Sequence, residues 1–146
     1  MIINDKIVIV YDIEVFPNVF SCTTKNTENG LLEVYEISNR KNDVYELIEL
    51  FKSGHLMCGY NNHHYDDAIM NFILMYEKAM CSTNPMKICR NIAKLSNIII
   101  TSGDDTSQWK EYKYAHLFES FDLLTMLFSS KLRVGLKEIS LCLPIQ

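Results

Sequence analysis

Lys6-Ile7-Val8-Ile9-Val10-Tyr11-Asp12-Ile13-Glu14 is a continuous apolar run that ends in two carboxylates one residue apart. The unbroken β-branched residues from Ile7 to Val10 have the pattern of a central strand covered on both faces. Side chains alternate along a strand, so Asp12 and Glu14 point the same way. Two like charges side by side at the end of a buried strand repel unless a cation lies between them. Oxygen ligands of this kind suit magnesium or manganese. For such a triplet alone, the simpler reading is that the strand has ended and both groups are solvated. The rest of the chain shifts that balance.

Working outward, Pro17-Asn18 marks a break and Val19 to Thr23 resumes a strand pattern. Asn26 to Gly30 is a polar turn, and Leu31 to Ile37 alternates as a third strand, predicting an antiparallel meander. Asn42 or Asp43 caps a helix with Val44, Leu47, Ile48 and Phe51 at helical spacing, stopped at Ser53-Gly54. His55 to Tyr60 reads as a short strand. Asp66 or Asp67 opens a second helix with Ile69, Phe72, Ile73 and Tyr76 on one face. Met86 to Leu95 is expected to be helical, Asn97 to Thr101 a short strand, and Ser102 to Ser107 a polar loop. A further strand is expected within Tyr112 to Phe121, a helix after Asp122, and a last short helix over Val134 to Leu143. Three strands, a crossover helix, then a strand and further helices describe a mixed α/β sheet.

The 146 residues suit one domain, and 48% hydrophobic content supplies a sizeable core. Net charge is −4, with no Lys/Arg cluster dense enough for a nucleic-acid arm. Any nucleic acid would therefore be held locally, by metal and stacking, rather than by a broad basic surface. Five cysteines (Cys22, Cys58, Cys81, Cys89, Cys142) include no C-x-x-C pair and read as reduced thiols of a cytosolic compartment. No signal peptide and no apolar run of membrane-spanning length is present.

A second motif, Gly59-Tyr60-Asn61-Asn62-His63-His64-Tyr65-Asp66-Asp67, follows a strand and runs into a helix. Asp66 thus sits at a helix N-terminus, where the dipole and free N–H groups favour a carboxylate. Capping alone would explain Asp66 and Asp67, but says nothing of Asn62, Tyr65 or the acidic pair on the first strand. Together the two segments resemble the first two motifs of the proofreading domain in phage-type DNA polymerases, members of the DEDD-type 3′–5′ exonucleases. The first motif, D-x-E, matches Asp12 and Glu14. The second, N-x-x-[FY]-D, matches Asn62 to Asp66. Ser120-Phe121-Asp122-Leu123-Leu124 and Gly135-Leu136-Lys137-Glu138-Ile139 resemble that family's strand–helix segment and "LKE" helix.

The resemblance implies a ribonuclease H-like mixed sheet with flanking helices and two-metal hydrolysis of phosphodiester bonds at single-stranded 3′ ends. Asp12 would bridge two Mg²⁺ or Mn²⁺ ions, Glu14 would complete the water-activating site, and Asp66 would hold the second ion. Asn62 and Tyr65 correspond to positions that grip the frayed 3′ end. An aromatic face stacks on any base, as a proofreader without sequence preference requires. The implied setting is the cytoplasm of a phage-infected bacterial cell, with the remainder of a DNA polymerase as partner.

One departure qualifies this. The family's last acidic motif, Tyr-x-x-x-Asp or His-x-x-x-Asp, lies after the "LKE" helix, and nothing after Ile139 matches it. Asp104 and Asp105 lie in a loop of the wrong context. The expectation is therefore a domain fragment lacking the C-terminal part of the fold, with weak metal binding, little turnover and an exposed apolar patch. The competing expectation is a non-catalytic remnant that binds single-stranded DNA or docks on a partner. A third is a free-standing RNase of the same superfamily that borrows its last carboxylate. His63 and His64 read as exposed loop residues, Asp122 as a helix cap, Trp109 and Tyr112 to Tyr114 as partly buried aromatics, and Lys137 as solvated.

Overall fold

Asn4 and Asp5 both take left-handed backbone angles, φ 51° and 64°, the geometry of a tight hairpin turn. They fold β1 (Ile2–Ile3) antiparallel onto the start of β2 (Lys6–Phe16). The computed structural model describes residues 1–127 of the chain. β2 pairs antiparallel with β3 (Val19–Asn26), and β3 with β4 (Leu32–Ile37). On its other side β2 pairs in parallel with β5 (Leu56–Gly59), which carries β6 (Ser120–Asp122), also parallel. The six-stranded mixed sheet has the order β4-β3-β2-β5-β6, with β1 beside β2.

Helices flank this sheet. α1 (Val44–Lys52) connects β4 to β5 and buries Val44, Leu47, Ile48 and Phe51. Its first N–H groups are served by Asn42, whose Oδ1 accepts from the Val44 N–H at 3.2 Å, while Asp43 instead accepts from the Glu36 N–H. Gly54, at φ 86°, supplies the left-handed turn that ends the segment. α2 (Asp66–Met75), α3 (Glu77–Ser82) and α4 (Pro85–Ser102) follow, then α5 (Lys110–Lys113) and α6 (Leu123–Leu127).

The pleat of β2 sorts its residues between two cores. Ile9, Tyr11 and Ile13 join the large cluster with residues of α1, α2 and α4, whereas Val8 and Val10 pack with Cys58 and Leu123 in a smaller one. Each fully buried aliphatic side chain contributes roughly 1.5–3 kcal/mol, so the large cluster sets the stability. Asp12 and Glu14 continue the row of Val8 and Val10 and are exposed. Register places Thr23 and then Val34 beside Asp12, and Ser21 and then Glu36 beside Glu14. Leu32 and Val34 are exposed on β4.

Two elements differ from expectation. Asn97 to Thr101 is not a strand but the last part of α4. The β-branched run Ile98-Ile99-Ile100 suggests a strand locally. However, Ile99 extends the buried stripe of Ile88, Ile92 and Leu95 at helical spacing, and packing on the sheet overrides propensity. In Tyr112 to Phe121 the strand is confined to its end, at Ser120–Asp122. On α2, Ile69 and Ile73 are buried as expected and Phe72 partly so, whereas Tyr76 falls just past the end of the helix and is exposed. The helix expected over Val134 to Leu143, with Lys137 and Cys142, lies outside the described residues. Among those described, no helix is long and apolar enough to cross a membrane.

Candidate functional site

β2 and β5 pair only as far as Val10 and Cys58. Beyond that point β5 turns into the loop before α2, and the main chain of β2 needs another partner on that side. Asp66 supplies it: its Oδ2 accepts from the Ile13 N–H at 3.3 Å. The first residue of α2 is thereby fastened to β2 between the positions of Asp12 and Glu14. Burial, and next the Asp12 carboxylate, push Asp66 up to about 7. Asp12 keeps exposed surface, yet partial burial of its carboxyl and then Glu14 raise it as well. Among the described residues no Lys, Arg or His lies within ion-pair distance of Asp12, Glu14 or Asp66.

Oxygen donors that repel each other and lack a basic neighbour suit a hard divalent cation. Asp12, Glu14 and Asp66 are therefore chemically fit to hold one. Their spacing is open, since among the described residues no group of three or more His, Cys, Asp or Glu side chains is arranged around a single ion position.

The neighbouring carboxylate has the opposite surroundings. Asp67 accepts from the Tyr11 hydroxyl, the Ser120 hydroxyl and, at 3.0 Å, the Asn62 amide. It ties β2, β6 and the loop to α2. His63 Nε2 lies 3.8 Å away. Asp122 does cap α6, through the Leu124 N–H at 2.9 Å. It also accepts from the N–H groups of Asn61 at 2.7 Å and His63 at 3.1 Å, and so anchors the loop to β6.

Asn62 does not face solvent. It is fully buried, donating to Asp67 and to the Phe121 carbonyl. A Cβ at Gly59 would stand 2.8 Å from the Asn62 Cβ, so this glycine makes room for it. Tyr65 is half-buried, and its hydroxyl is hydrogen-bonded to Ser96 of α4 at 2.6 Å. The part played by Asp67 and its partners was not evident from sequence. The available signal was Tyr11, a phenol within a buried strand, whose hydroxyl needs a partner.

No known family model matches this sequence, and no curated protein or solved structure is found to be similar to it.

Proposed function

We propose that this chain is a ribonuclease H-like 3′–5′ exonuclease domain of the proofreading type, acting on single-stranded DNA 3′ ends. The observation that carries the proposal is Asp66, seated on the Ile13 N–H between Asp12 and Glu14. Two segments that resemble separate exonuclease motifs are thereby joined at one point. Further support comes from the antiparallel meander of β2, β3 and β4, with β5 parallel to β2 on its other side and β6 parallel to β5.

Mg²⁺ or Mn²⁺, when bound, supplies an activated water and stabilises charge on the attacking and leaving oxygens. Asp12, Glu14 and Asp66 would hold the ions. Thr23 and Ser21 place hydroxyl groups in the same rows as Asp12 and Glu14, available to a phosphate or its water. The ring of Tyr65, half-buried beside Asp66, offers a face for the terminal base. Asn62 acts as a positioning residue, holding the loop through Asp67 rather than reaching the DNA.

The test is release of nucleotides from a 5′-labelled single strand in Mn²⁺. Turnover by residues 1–146 is expected to be very low, because nothing after Ile139 supplies the last acidic motif. A chain extended by such a helix is expected to recover it, and Asp12→Ala to abolish it. Activity indifferent to Asp12→Ala would place the site elsewhere. Strand binding without turnover, even in the extended chain, would favour the non-catalytic binding module.

A further inference from the structure

Three of the four histidines, His63, His64 and His116, line one cavity of about 780 Å³ together with Lys113. Its walls are Asp67 and Asn71 of α2, Glu119 and Ser120 at β6, and Tyr114, Leu117 and Phe118 of the segment between α5 and β6. Neither Asp12, Glu14 nor Asp66 is among its lining residues. This cavity is independent of the nuclease reading.

Its two carboxylates and the Asn71 amide already have partners. Asp67 takes hydrogen bonds from Tyr11, Asn62 and Ser120, and Glu119 is paired with Lys6. Asn71 is consumed in holding the wall: its amide donates to the Tyr112 carbonyl at 2.8 Å and its oxygen accepts from the Leu117 N–H at 3.2 Å. Lys113 has no carboxylate within ion-pair distance among the described residues. Its ammonium lies over the rings of Trp109 and Tyr114, 5.5 and 5.6 Å from their centroids. Among the described residues, the groups left to meet a ligand are this ammonium, the imidazoles of His64 and His116, that of His63 beside Asp67, and the hydroxyls of Tyr114 and Thr125, all able to donate.

Two further features point the same way. Trp109 is 2% exposed, and its Nε1–H has no acceptor among the described residues. It lies in the wall of an adjoining cavity of about 510 Å³ that shares His64 and Lys113 with the first. A buried donor without an acceptor costs about 1–3 kcal/mol. His116 adopts a left-handed φ of 48°, a region that non-glycine residues enter infrequently and that recurs at ligand sites.

We infer that this cavity binds a nucleotide, with Lys113, His63 and His64 on the phosphate and the Tyr114 and His116 rings against the base. Donors around an unpaired ammonium select an anion rich in acceptors, and phosphate is one. Planar side chains beside them select a flat ring. The volume falls in the range of about 300–1,000 Å³ usual for small-ligand sites. A free mononucleotide and one nucleotide of a single strand present the same chemistry.

The experiment is a titration of the metal-free chain in EDTA with thymidine 5′-monophosphate, followed by NMR of the histidine ring protons. Saturable shifts at His63, His64 and His116 are expected, with thymidine and inorganic phosphate each binding at least about tenfold more weakly. Lys113→Met should weaken binding by about tenfold or more with an unchanged circular dichroism spectrum, while Lys113→Arg retains it. Should Lys113→Met fail to fold, His116→Ala is read the same way. Asp12→Ala should bind as the parent does. Oligothymidylate that binds more tightly than the mononucleotide at the same histidines identifies a strand as the occupant, and weaker binding identifies free nucleotide. Thymidine binding as well as its monophosphate, affinity unchanged in Lys113→Met, or the absence of histidine shifts would each overturn the inference.

Discussion

Asp66 and Asp67 are adjacent, both acidic and both buried in the first turn of α2, yet they serve opposite ends. Asp67 meets three side-chain donors from three other parts of the chain. Asp66 meets one main-chain N–H and the like charge of Asp12. A buried carboxylate surrounded by donors holds the fold together. One set against other carboxylates loses stability unless something positive arrives. The difference separates an acid that organises the fold from one whose surroundings are chemically fit for a cation.

The largest expected effect tests the structural member. Asp67→Ala leaves the Tyr11 hydroxyl, the Asn62 amide and the Ser120 hydroxyl without their acceptor, and should destabilise the chain by about 3 kcal/mol or more in urea unfolding. A loss below about 0.5 kcal/mol, the scale of ordinary surface changes, would erase the contrast.

Gly59→Ala comes next. Its Cβ would meet the Asn62 Cβ at 2.8 Å and Cγ at 2.9 Å, and Asn62 is buried and bonded to Asp67. Overpacking of this kind costs about 1–3 kcal/mol. The expected Tm loss should largely vanish in a Gly59→Ala/Asn62→Gly double variant compared with Asn62→Gly alone. Persistence of the full loss would show that the loop does not depend on this contact.

Asp66→Asn should act in the opposite direction. With its carboxyl raised to about 7, the folded chain holds a proton that an unfolded aspartate releases near pH 4. Folded chains therefore bind more protons across that window, and stability should fall as pH rises from about 4 to about 7. Asp66→Asn removes this slope and should be the more stable protein at pH 8, by on the order of 1–3 kcal/mol. A steady gain in parental stability with pH over that window would contradict the arrangement.

The smallest effect is that of metal. Mn²⁺ at ten times its dissociation constant should stabilise the parent by about 1.4 kcal/mol at pH 8, and leave Asp12→Ala and Asp66→Asn unmoved. Equal stabilisation of all three in thermal melts would assign the ion to another place.

Much of the sheet was legible because its signals are local. β2 declares itself through Ile7 to Val10, and the shared face of Asp12 and Glu14 follows from the period of two. α1 follows from the 3.6-residue spacing of Val44, Leu47, Ile48 and Phe51. The Ile98 to Ile100 run misled because β-branched residues favour strands, whereas the helix is decided by the stripe that α4 buries. Asn62 was placed at the DNA by motif position, and its inward orientation shows only once Phe121 and Asp67 are beside it.

By itself the sequence determined where the carboxylates enter the fold: two on one face of β2, two more at the start of α2. Which of the latter pair is met by hydrogen-bond donors and which faces its own kind was a tertiary decision. Tyr11 and Asp67 are 56 residues apart, and Asp66 reaches Ile13 across 53. The gathering of His63, His64, Lys113 and His116 around one cavity is likewise the work of packing. Periodicity is imposed by the geometry of a few consecutive peptide units. The partner that a buried charge finds depends on which distant strands and helices the core brings together.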